Sequence, residues 1–169
     1  MAIRKVVTKG DETLLKRSRE VGEITPKILM LLDDMAETLV DENGAGLAAP
    51  QVGVLRRIAV IDVGEGLIEL INPVILETEG TQEEIEGCLS IPGVLGVVRR
   101  PARVVVEALN REGKLRKVEG TELLARALCH EIDHLDGVLF DSKVVRLLNE
   151  DEMEALRVAA EKGEDEEVM

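Results

Sequence analysis

The chain has 169 residues, enough for one domain with a substantial core. Its 34 Asp and Glu against 21 Lys and Arg give a formal net charge of −13, which disfavours non-specific binding to nucleic acid or to an anionic membrane. No apolar run approaches the roughly 20 residues of a membrane helix, and residues 1–5 lead into no apolar signal core, so the cytoplasm is the expected compartment.

In such a compartment a structural disulfide between Cys88 and Cys129 is not expected; a metal or catalytic role suits one of them, and Cys129 reads as a buried core thiol. With Phe140 the only aromatic, the core has to be built from Leu, Val, Ile, Ala and Met. Few Asn and Gln among many charges is a thermophile-like balance.

Thr25-Pro26 reads as an N-cap followed by a first-turn proline. Ile28, Leu31, Leu32, Met35 and Leu39 then recur at helical spacing, which predicts a helix over about 26–41, with Asn43-Gly44 as its stop. Residues 44–51 are too rich in small residues for a packed helix. They superficially fit the G-x-G-x-x-A dinucleotide fingerprint, but a helix precedes them where that fingerprint needs a strand, and Pro50 follows at once. The better reading is a backbone that passes close to something, with Gln51 at its end offering a side-chain amide.

Strands are expected at 57–62, 67–71, 74–78, 94–99 and 103–109, the last turning through 110–113 into a hairpin partner at 114–118. After Gly120-Thr121 the period changes. Leu123, Leu124, Ala127, Leu128, Ile132 and Leu135 outline a helix that ends near Asp136-Gly137. A last amphipathic helix is expected from Glu150 to Glu161, then a frayed acidic tail over about 164–169. The whole, residues 1–169, reads as a single α+β domain: mixed or antiparallel sheets packed around a central metal-binding helix, with an N-terminal and a C-terminal helix.

That central helix carries both histidines of the chain, in His130-Glu131-Ile132-Asp133-His134. Four residues apart, the two imidazoles project from one face and can grip one metal ion, while Glu131 beside them can handle the protons of an attacking water. A catalytic site needs a third protein ligand. Cys88 is the first candidate, being flanked by Glu86-Gly87 and Ser90 and soft enough for zinc or ferrous iron. Glu152 and Glu154 are rivals, as a zinc protease of the thermolysin type would require. A silent metal-binding module is the further alternative.

Three segments taken together resemble the peptide deformylases: a G-x-G-x-A-A-P-Q loop at 44–51, an E-G-C-L-S segment at 86–90 and an H-E-x-D-H helix at 130–134, in that order. The likeness continues from Leu135 to Phe140 and covers essentially the whole chain from Ile3. The helical C-terminus looks like the bacterial type 1 branch.

The resemblance implies an α+β fold and a hydrolase that removes the N-formyl group from the formylmethionine of new polypeptides, releasing formate. It implies that Cys88, His130 and His134 bind one divalent ion, ferrous iron as the native metal, with zinc (or nickel or cobalt) as alternatives in purified protein. It makes Glu131 the acid/base, and it makes the Leu89 N–H and the Gln51 amide the partners of the developing oxyanion. Gly44, Ala45, Gly46, Glu86, Leu123, Arg126 and Ala127 correspond to positions around the substrate and its methionine pocket. Leu123 and Ala127 fit equally as core residues. Arg126 is expected to pack its stem and send its head to solvent, and Glu86 with Arg100 to steady the cysteine segment as an ion pair. Nascent formylmethionyl peptides are the implied partner, aligned along 44–46 by strand-like pairing, with a transient ribosome contact. No membrane or specific nucleic-acid partner is expected.

Overall fold

The structure is a computed structural model that describes residues 2–163. The acidic tail expected to fray, 164–169, lies outside the described residues.

Helix α1 (Pro26–Asp41) forms where the spacing predicts. Thr25 Oγ1 accepts the Ile28 N–H at 3.3 Å, and Pro26 occupies the first turn, where its missing N–H leaves no bond unmade. The chain then builds seven strands: β1 (Gly46–Ala48), β2 (Ile58–Ile61), β3 (Ile68–Glu79), β4 (Gln82–Cys88), β5 (Ile91–Arg100), β6 (Arg103–Leu109) and β7 (Leu115–Thr121). Helix α2 (Glu122–Leu135), the short strand β8 (Val144–Leu147) and helix α3 (Glu150–Glu161) complete it.

The strands make two antiparallel sheets, a five-stranded one in the order β1-β2-β3-β6-β7 and a three-stranded one in the order β4-β5-β8. Strand β2 explains how the larger sheet sits. All four of its residues are buried. Ala59 and Ile61 join Leu128, Ile132 and Leu135 of α2 in one cluster, while Ile58 and Val60 join Leu31, Leu32 and Met35 of α1 in another. The sheet is thus covered on both faces, which is why β2 reads as an unbroken apolar run rather than an alternation. Burying each such side chain fully is worth about 1.5–3 kcal/mol.

Three details differ from the sequence reading. The segments 67–71 and 74–78 are one strand, β3, shifted in register between Ile71 and Val74. Asn72 takes a φ of 52° at the break, and its side chain bonds both the N–H and the carbonyl of Val21. Strands β4 and β8 were not anticipated. Each lies at an edge of its sheet, and Glu83 and Glu84 of β4 and Val145, Arg146 and Leu147 of β8 are exposed, so neither shows a clear alternation.

Candidate active site

Helix α2 packs against β1, β2, β6 and β7 and brings its polar stripe to the gap between the two sheets. The rings of His130 and His134 lie one turn apart with centroids 5.0 Å from each other. Phe140 stacks on His130 at 5.9 Å and 27°, so the single aromatic of the chain walls the site.

Cys88 ends β4 in the other sheet, where a register shift after Glu86 precedes its pairing with Ile91. Its Sγ stands 3.3 Å from His134 Nε2. The ligand atoms of Cys88, His130 and His134 all lie within 4.8 Å of one another. Metal–ligand bonds of about 2.0–2.3 Å in a tetrahedron put ligand atoms about 3.5 Å apart, so the set is of the right size. By contrast, Glu152 caps α3 and pairs with Arg146 at 2.6 Å, and Glu154 pairs with Arg157 on an exposed face. Neither belongs to the ligand set.

The surroundings suit a cation. Burial pushes the Glu131 carboxyl up to about 7 and His134 well below the usual imidazole value. Burial also opposes charge on His130, but Glu131, Cys88 and Glu86 outweigh it and draw positive charge to that ring. Among the described residues, Glu131 Oε1 and His134 Nδ1 are buried without a hydrogen-bond partner. A soft sulfur donor and two imidazoles fit a divalent ion such as zinc or iron.

Behind these three side chains lies a buried charge network. Burial would raise Glu86, yet the Arg100 and His130 hydrogen bonds hold it at about 2. Arg100 grips both Glu86 oxygens at 2.9 Å and reaches Asp133 at 2.5 Å, and Lys143 meets Asp133 from outside. The Glu86–Arg100 pair expected from sequence is therefore present, and it extends to α2 through Asp133, which the sequence reading left out.

In front of the Cys88–His130–His134 cluster opens a cleft of about 280 Å³. Gly44, Ala45, Gly46, Gln51, Cys88, Leu89, His130 and Glu131 line it, together with Asn43 and the stretch 91–95, which had not been singled out. Gln51 is held at both ends of its amide. Its Oε1 accepts the Ala48 N–H at 2.9 Å, and its Nε2 donates to Ser90 Oγ at 3.1 Å and points to Cys88 Sγ at 3.6 Å. Gly46 leaves room for Glu131, since a Cβ there would stand 2.5 Å from Glu131 Oε2.

Four further positions lie apart from that lining. Glu86 is wholly buried behind His130, Ala127 is in the α2 core cluster, and Leu123 is half-buried on the first turn of α2. Arg126 requires a correction. Its head does not reach solvent. The residue is 2% exposed, and Nη1 donates to Gln82 Oε1 at 2.9 Å. The first residue of β4 roofs this part of α2, with Gln82 also bonded to the carbonyls of Pro101 and Glu122. Only the packing of the second sheet could reveal that.

A cysteine sulfur, two imidazoles, a buried carboxyl group and a fixed side-chain amide around one cleft define the site of a metal-dependent hydrolase. Residues 3–150 match the family model described as polypeptide deformylase. The peptide deformylase of Acetivibrio thermocellus is 67% identical over 157 residues, covering 93% of this chain and 92% of that protein, and that of Thermoanaerobacter pseudethanolicus is 60% identical, covering 93% and 99%. The crystal structure of the Thermotoga maritima enzyme superposes with a TM-score of 0.82 at 37% identity, covering 84% of this chain and 97% of that one. The chain belongs to the peptide deformylase family, metallohydrolases that remove the N-formyl group from newly made polypeptides.

Proposed function

We propose that Cys88, His130 and His134 hold one divalent ion and that Glu131, Gln51 and Leu89 carry the deformylation of N-terminal formylmethionine. The convergence of the three ligand atoms within 4.8 Å beside a buried Glu131 supports this most directly. An ion bound there supplies Lewis acidity, lowering the pKa of a water and polarising the formyl carbonyl.

The rest falls to the chain itself. Glu131, pushed towards neutrality by burial, suits a group that takes a proton from the attacking water and returns it to the leaving amine. Gln51 Nε2 and the Leu89 N–H meet the negative charge that develops on the formyl oxygen. Gly44, Ala45 and Gly46 offer backbone for a peptide laid in strand-like pairing, so the substrate enters extended. Glu86, Leu123, Arg126 and Ala127 act from behind this surface, on the methionine side chain or on the shape of its pocket.

Ferrous iron is the native ion in this reading, with zinc, nickel or cobalt able to occupy the same donors. Residues 2–163 serve one catalytic domain, because both sheets contribute to one site. Among the described residues no helix is long and apolar enough to cross a membrane. A cytoplasmic enzyme acting on nascent chains, with a transient ribosome contact, follows from the substrate.

The test is formate release from a formyl-Met peptide by protein purified without oxygen, with the metal assayed alongside. One ion per chain and stoichiometric formate are expected. Iron-loaded protein that releases no formate would overturn the assignment.

A further inference from the structure

We infer that residues 2–9 form a strap that positions the two oxyanion donors relative to each other, an inference that rests on the roles just given to Gln51 and Leu89. Those two residues belong to different parts of the fold. Gln51 lies in the helical turn Ala49–Val52 that follows β1 of the larger sheet, and Leu89 lies in the turn between β4 and β5 of the smaller one. Donors aimed at one oxygen are effective only if their separation is fixed before the reaction.

The strap crosses both. The Val7 N–H donates to the Gln51 carbonyl at 2.7 Å, and the Lys9 N–H donates to the carbonyl of Ser90, the neighbour of Leu89, at 2.8 Å. The side chains of the same two targets meet as Gln51 Nε2 and Ser90 Oγ, at 3.1 Å.

The strap is anchored beyond these points. The Ala2 N–H and Arg4 Nε bind the two oxygens of Asp34 at 2.7 and 2.9 Å, and the Arg4 N–H binds Thr38 Oγ1 at 2.9 Å, all on α1. At the other end Leu14 is fully buried with Ile91, Val98 and Phe140, whereas the exposed pair of Lys9 with Asp141 contributes little. Val7 and Cys88 pack at the edge of that same cluster. A segment with no chemistry of its own is therefore tied to the backbone of Gln51, to that of Ser90 beside Leu89, and to α1.

The turn at residues 8–11 supplies a clean variant. The Asp11 N–H bonds the Thr8 carbonyl at 3.1 Å, and Gly10 has a φ of 110°. The second residue of such a turn accepts proline. Lys9→Pro thus keeps the turn and deletes the N–H that holds Ser90, whereas Lys9→Ala keeps that N–H and deletes only the pair with Asp141.

For formyl-Met-Ala, Lys9→Pro is expected to lower kcat about tenfold with KM and bound metal unchanged, and Lys9→Ala to stay near the parent. In zinc-loaded Lys9→Pro the Gln51 side-chain amide resonances should move. Parental kcat in folded Lys9→Pro, an equal loss in Lys9→Ala, or a loss explained by missing metal each overturns the strap. Parent protein without formate release, or Gln51→Ala without a defect, would instead strike the functional reading. Should Lys9→Pro fail to fold, hydrogen exchange in the parent decides. Val7 and Lys9 amides exchanging within about a hundredfold of the β4–β5 ladder support a shared unit, and faster exchange overturns it.

Discussion

Glu86 fixes the tautomer of His130. Its carboxylate, ionised because Arg100 and His130 hold it at about 2, can only accept a hydrogen bond, and its Oε1 stands 3.0 Å from His130 Nδ1. Nδ1 therefore carries a proton towards Glu86, and a bound metal would take Nε2 in place of the ring's second proton. The same carboxylate is clamped by Arg100, whose third contact, Asp133, lies three residues beyond His130 on the same helix.

Replacing that carboxylate should therefore be read in metal affinity. Glu86→Gln is expected to weaken metal binding about 10–100-fold, measured by competition with a chromogenic chelator. Unchanged affinity would mean that the helix alone orients the ring.

The close approach of β1 to Glu131 gives a steric prediction. In Gly46→Ala the added Cβ meets the Glu131 carboxylate at 2.5–2.9 Å, so kcat should fall at least about 100-fold while metal content is retained. Gly44→Ala should be much milder, because its new Cβ meets only the ends of Leu89 and Leu39 side chains, at 3.0 and 3.2 Å. Equal kcat values for the two variants would contradict this geometry.

Gln51→Ala removes a donor that Ala48 and Ser90 hold in place. A loss of about 10²–10³ in kcat is expected, with the metal content of the parent. Steady-state kinetics with a formyl-Met dipeptide, on protein of assayed metal content, checks it.

The anchor of the N-terminal segment has a pH signature. Burial alone would raise Asp34, but the Ala2 N–H and Arg4 hold it below the ordinary value of 3.8. Its folded value lies under its unfolded one, so its stabilisation is complete above the ordinary value and is lost as pH falls through the lowered one. The stability difference between parent and Asp34→Asn in urea should stay flat from about pH 8 to 5 and shrink in more acid solution. A difference that does not change with pH would remove the charge from the explanation.

Much of this was legible in the chain. Helix periods, with the Thr25 cap for the first, located α1 and α3, and an i, i+4 histidine pair on a helix needs no tertiary contact to share a face. Strands β4 and β8 were not legible, because an edge strand satisfies its solvent side with charge and loses the alternation that marks a half-buried one. The burial of Arg126 was hidden for a related reason, since it depends on Gln82 of that unseen strand.

By itself the sequence determined what is local: the helices, the strands with a clear apolar pattern, the candidate ligand types, and the glycines where backbone must pass closely. Only the tertiary structure decided which distant groups meet. It set Cys88 of the smaller sheet 3.3 Å from His134 of α2, placed Asp133 on Arg100, and laid residues 2–9 over both Gln51 and Ser90. Those contacts join residues that no helical or strand period relates. They exist because burying the apolar faces of α1 and α2 on one sheet leaves the second sheet a single way to close the site.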